Sequence, residues 1–134
     1  MTATYAVSVE PRLDLVRITL SGFFSEADVQ SFVDARNEAH RALRCGSNQH
    51  LTLVDIRDMK IQAQEMVGAF QQVLASPEYH SRALAFVVSP TLARTQLMRA
   101  VNGRDVCFFE READAMAWLL AAPLTSPGPS VSAA

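Results

Sequence analysis

The order of apolar runs predicts an α/β fold: a mixed five-stranded sheet with a leading β-hairpin and four helices mainly on one face. Two β-branched runs that alternate apolar and polar open the chain, close enough together to pair as a hairpin. Three later apolar runs of strand length are each followed by a stretch with helical spacing, which implies parallel pairs joined by crossovers. No segment repeats another.

Tyr5-Ala-Val-Ser-Val-Glu10 has period two and reads as a half-buried strand. Pro11-Arg-Leu-Asp14 is the turn, Leu15-Val-Arg-Ile-Thr-Leu20 is the second strand, and Ser21-Gly22 closes the hairpin. Ser25-Glu-Ala-Asp28 is a helix start: Ser25 can accept the N–H of the third helical residue, and Asp28 lies at the positive end of the helix. Val29, Phe32, Val33 and Ala39 recur at helical spacing up to about Leu43, before the polar loop Cys45-Gly-Ser-Asn48. Phe23 and Phe24 read first as a staple onto this helix and a core residue; the alternative is that one of them is an exposed partner contact, with Met59 in the same apolar patch.

Leu51-Thr-Leu-Val-Asp55 reads as a buried central strand and Arg57-Asp-Met-Lys60 as the loop after it. The second helix is expected from about Gln62 to Ser76, with Met66, Phe70, Val73 and Leu74 inward, and Ser76-Pro77 stops it. Ala83-Leu-Ala-Phe-Val-Val88 is another buried strand. Ser89 then caps a third helix with Pro90 at its first position, Leu97, Met98 and Val101 on its inner face, and Asn102-Gly103 at its end. Val106-Cys-Phe-Phe109 is the last strand. The last helix is expected from Glu110 to Ala121 with Ala113, Met116, Ala117 and Leu120 on one side. Three prolines and many small residues follow, so 1–122 reads as one domain and 123–134 as a disordered tail.

A chain of 134 residues is one domain's length, and its 49% hydrophobic content suits a globular protein. Twelve basic residues against fourteen acidic ones give −2, no electrostatic reason to expect nucleic acid or an anionic membrane as partner. Eleven of the basic residues are Arg and only Lys60 is Lys, which reads as compositional bias beside twenty alanines. Cys45 and Cys107 show neither metal-ligand spacing nor a disulfide framework. No signal peptide and no apolar run of membrane-span length is visible, so the cytoplasm is the expected compartment.

Three pieces carry a resemblance to a known family: the 5–20 hairpin closed by Ser21-Gly22; Leu51-Thr-Leu-Val-Asp55 with its loop and helix; and the ending Val106-Cys-Phe-Phe-Glu-Arg-Glu-Ala-Asp-Ala-Met-Ala-Trp-Leu119. Over about residues 4–121 the chain resembles the STAS superfamily, which includes anti-sigma-factor antagonists and cytoplasmic domains of sulfate transporters. It looks closest to small stand-alone bacterial proteins described as STAS-like or Sec14-like. The resemblance implies a STAS-like fold and a regulatory role without catalysis. Anti-sigma-factor antagonists are switched by phosphorylation of a Ser or Thr just after the third strand, beside an Asp. The matching stretch, Asp55-Ile-Arg-Asp-Met59, keeps the Asp and has neither Ser nor Thr, so the switch residue is absent.

Asp55, Arg57, Asp58, Met59 and Lys60 cluster at the carboxyl end of a central strand, where ligands and partners of open α/β sheets sit. They read as a partner-docking loop or, more plainly, as a surface ion pair or helix cap. Ser89, Thr91 and Arg94 at a helix start can contact an anion or simply cap the helix. Phe70, Phe86 and Met98 can line an apolar pocket or belong to the core. His40, His50 and His80 have no metal spacing, and no Gly-x-Ser-x-Gly elbow positions a nucleophile, so no catalytic residue, metal or cofactor is assigned. Trp118, Leu119 and Leu120 widen the apolar stripe of the last helix, which favours a homodimer. The expected function is therefore a non-enzymatic interaction module binding a protein partner or a second copy. A carrier of a small apolar ligand is the alternative, and a hydrolase has the least support.

Overall fold

The computed structural model describes residues 2–46, 49–60, 62–75, 81–89 and 106–122. The expected 90–102 helix (with Thr91, Arg94, Leu97, Met98 and Val101), the Ser76-Pro77 stop, His80, the Leu74 side chain and the 123–134 tail lie outside the described residues.

β1 (Thr4–Glu10) and β2 (Leu15–Ser21) form the hairpin, antiparallel, with Val7 opposite Ile18. Between them Pro11–Leu13 makes one 3-10 turn, and Asp14 adopts φ 53°, a left-handed conformation that Asp tolerates. The Asp14 carbonyl accepts the Leu51 N–H at 2.7 Å, so the turn also starts the next strand. α1 (Glu26–His40) begins with a complete capping box, Ser25 accepting from the Asp28 N–H and Asp28 accepting from the Ser25 N–H. β3 (Leu51–Asp55), α2 (Gln64–Ala75), β4 (Ala83–Val87), β5 (Val106–Phe109) and α3 (Glu112–Leu120) follow. The strands lie in chain order, β1-β2-β3-β4-β5, with only the β1–β2 pair antiparallel.

The mixed five-stranded sheet is thus as expected, and three of the four expected helices lie among the described residues, two on one face and one on the other. α1 and α2 lie on one face: Val29, Phe32 and Phe70 pack against Val16, Ile18, Leu20, Val54, Ile56, Phe86 and Val88. α3 lies on the other, where Ala115 and Leu119 pack against Leu15, Leu51, Leu53, Ala83, Ala85 and Val87. β3 and β4 are buried on both sides and so carry continuous apolar runs. Where α3 does not reach, Thr4, Ala6, Ser8 and Thr19 stand exposed on that second face, small or polar enough to meet water.

The inner face of α3 also differs from expectation. Ala115 and Leu119 are fully buried, Met116 half-buried, and Ala113, Ala117 and Leu120 exposed, Leu120 at 53%. Apolar residues fill most of this short helix, so its spacing admits two stripes, and the sheet selects one. Arg17 on β2 pins the helix start, binding Glu10 and, at 2.8 Å, Glu112.

Candidate functional site

β3 ends at Asp55, and the chain turns sharply at the carboxyl edge of the sheet. The Ile56 N–H still reaches the Val87 carbonyl at 2.9 Å, and the Met59 N–H closes a turn onto the Ile56 carbonyl at 3.0 Å. The loop is then laced to the end of the hairpin. The Gly22 N–H donates to the Asp58 carbonyl at 3.1 Å, and the Lys60 N–H donates to the Gly22 carbonyl at 3.0 Å. Gly22 has φ +84°, and a Cβ there would stand 2.4 Å from the Thr2 carbonyl oxygen, so only glycine fits this junction.

Gln62, which the sequence reading placed at a helix start, is a buried clamp instead. Its Oε1 accepts the Phe24 N–H at 2.8 Å; its Nε2 donates to the Gly22 carbonyl at 3.0 Å and to the Lys60 carbonyl. One amide thus satisfies backbone groups on both segments. The clamp sets the two phenylalanines apart. Phe24 is fully buried, edge-on to Phe70, while Phe23 is 46% exposed beside the loop.

Asp55 and Arg57 form a bidentate pair. Arg57 Nε donates to Asp55 Oδ1 at 3.0 Å and Nη2 to Oδ2 at 2.6 Å, and the Arg57 N–H adds a third bond at 3.1 Å. Partial burial pushes the Asp55 carboxyl up, but the hydrogen bonds and charge of Arg57 outweigh it and hold it below the usual carboxylate value. The same bonds raise Arg57. The Ser89 hydroxyl donates to the Arg57 carbonyl at 2.8 Å, so it braces the loop. Asp58 and Lys60 are exposed, and Met59 is half-buried against the main core.

Asp55, Arg57, Asp58, Met59 and Lys60, expected as one loop, lie together at this edge, and Ser89, expected in a separate anion contact with Thr91 and Arg94, stands against the same loop. Phe70 and Phe86 lie in the core, Phe70 against Phe24 and Phe32 and Phe86 stacked on Phe108. The sequence reading also missed a polar cluster at the opposite end of β3. His40 Nδ1 lies 2.8 Å from the Arg36 carbonyl, and His40 Nε2 lies 3.1 Å from His50 Nε2. A carbonyl only accepts, so neutral His40 carries its proton on Nδ1 and its Nε2 accepts from His50. Burial, first, pushes His40 below the ordinary imidazole value. Arg36, 8% exposed, reaches the Val73 carbonyl of α2 at 3.4 Å. The two histidines stand ten positions apart in the chain, so nothing local announced the pair. Among the described residues no three His, Cys, Asp or Glu side chains converge as metal ligands.

A family model described as SpoIIAA-like matches residues 15–120. The chain belongs to the SpoIIAA-like family. That membership bears out the STAS-superfamily resemblance. A crystal structure of an uncharacterised protein from Shewanella loihica PV-4, of the DUF3478 family and with a SpoIIAA-like fold, superposes with a TM-score of 0.68 at 15% identity. The match covers 89% of this chain and 96% of that one, and at such identity it speaks for the fold alone. No curated protein matches. No described helix of this SpoIIAA-like chain is long and apolar enough to cross a membrane.

Proposed function

We propose that this SpoIIAA-like domain is a non-enzymatic regulatory module that docks a protein partner on loop 55–60 together with Phe23. The observation that carries the reading is the clamp at Gly22 and Gln62, which holds an exposed aromatic ring beside a short, charged loop. An exposed ring on rigid backbone is a low-entropy anchor, and aromatic and Arg side chains dominate binding energy at protein interfaces. Asp55 turns its charge onto Arg57, which leaves Asp58, Lys60 and the outer edge of Arg57 to set the partner's orientation. Chemistry at the same place has less support, because the Ser89 hydroxyl is engaged with the Arg57 carbonyl and the Asp55 carboxylate with the Arg57 guanidinium. The module works without a phosphorylatable residue between 55 and 59, so its partner is selected by shape and charge.

The test is affinity capture from an extract of the source cell on immobilised wild-type chain and on Arg57→Glu. Retention of the specific partner is expected to fall roughly tenfold or more with the fold intact by circular dichroism. Equal retention on both would remove the loop from the interface.

A further inference from the structure

The two edges of the sheet are built differently. β5 offers four residues, a short edge of the kind that discourages further pairing. β1 offers seven, in unbroken register with β2 along their whole length. It contains no Pro, Lys or Arg, and its one charge, Glu10, sits at the end and is bound by Arg17. A long, flat, nearly uncharged edge is a template for another strand.

The sequence of β1 fits itself. Set antiparallel about Val7, two copies place Val7 opposite Val7, Tyr5 opposite Val9, Ala6 opposite Ser8 and Thr4 opposite Glu10, using all seven residues. No like charges meet. The period of two keeps Tyr5, Val7 and Val9 of both copies on one face. On that face Val7 and Val9 already pack against the main core, and Tyr5, 39% exposed, lies edge-on to Phe32 of α1. Pairing therefore continues an existing core across the junction, whereas a slip of one residue would set these apolar side chains against Thr4, Ala6 and Ser8.

We propose that β1 is a homodimer interface: two chains join antiparallel about Val7 into one continuous sheet with two-fold symmetry. This places the second copy on an edge far in sequence from Leu120, where the last helix had suggested it, and it uses none of the docking residues of loop 55–60. Sedimentation velocity of the full chain tests it. Wild type should sediment at twice the chain mass. Ala6→Lys with Ser8→Lys, both at exposed positions, sets lysines opposite one another twice and should halve the mass. Ala6→Lys with Ser8→Glu sets opposite charges in the same register and should restore the dimer. Hydrogen exchange of the wild-type amides 4–10 should slow with protein concentration, a readout that needs no variant. A monomeric wild type, concentration-independent exchange, or a dimer untouched by the two lysines would overturn the proposal.

Discussion

Gln62 does the most with the least at the carboxyl edge of the sheet. Its amide donates to two backbone carbonyls and accepts a backbone N–H, in a site that is 7% exposed. Gln62→Ala should cost about 2–3 kcal/mol in urea unfolding, since the Lys60 carbonyl and the Phe24 N–H lose this partner together while the Gly22 carbonyl keeps only the Lys60 N–H. Gln62→Glu should be worse, because a carboxylate keeps the acceptor and confronts two carbonyls. Gly22→Ala should cost about 1–3 kcal/mol through its positive φ and the contact with Thr2, again read by urea unfolding. His40 supplies a pH dependence. Its folded-state pKa is lowered, so the unfolded chain binds the proton more tightly, and stability falls as pH drops below the ordinary 6.5. His40→Gln should flatten the pH profile of stability on the acid side of that value. An unchanged profile would mean that another group sets it.

Among the elements, α3 gives the clearest ranking. Leu119→Ala should cost about 2–5 kcal/mol, since the side chain is fully buried between helix and sheet. Leu120→Ala, at 53% exposure, should shift stability by less than about 0.5 kcal/mol in the same unfolding assay. The sequence invites the reverse choice. In Glu-Ala-Asp-Ala-Met-Ala-Trp-Leu-Leu the apolar residues are too dense for the helical period to mark one side, and only the sheet beneath decides. β3 and β4 were legible for the opposite reason: Leu51, Leu53 and Val54 in one and all five residues of the other are apolar on both alternating sides, so burial on both faces follows. The Ser25–Asp28 cap was legible because its partners are three residues apart. The lacing of Gly22 to Asp58 and Lys60 was not, because backbone bonds across 36 and 38 residues leave no mark on side-chain pattern.

For the molecule as a whole, the SpoIIAA-like scaffold separates its tasks. The N-terminal end of β3 holds buried Arg36 and His50 with half-buried His40 between α1 and the sheet. The carboxyl end holds a laced loop and one exposed ring. Sequence set loop 55–60 at the carboxyl end of β3 from topology alone, since the carboxyl edge of a parallel sheet is where its loops gather. It left open which of Phe23 and Phe24 is exposed, because that choice is made by the clamp of Gly22 and Gln62 rather than by either ring. Removing the ring while keeping the clamp therefore separates binding from folding: Phe23→Ala should leave urea stability within about 0.5 kcal/mol and weaken partner retention roughly tenfold or more.

The most direct test is an amide-shift map of isotopically labelled chain titrated with the partner eluted from the wild-type affinity column. The docking account predicts that perturbed amides gather at 22–24 and 55–60, with α3 and β1 unmoved. Perturbations centred on α3 or β1, with 22–24 and 55–60 silent, would contradict it.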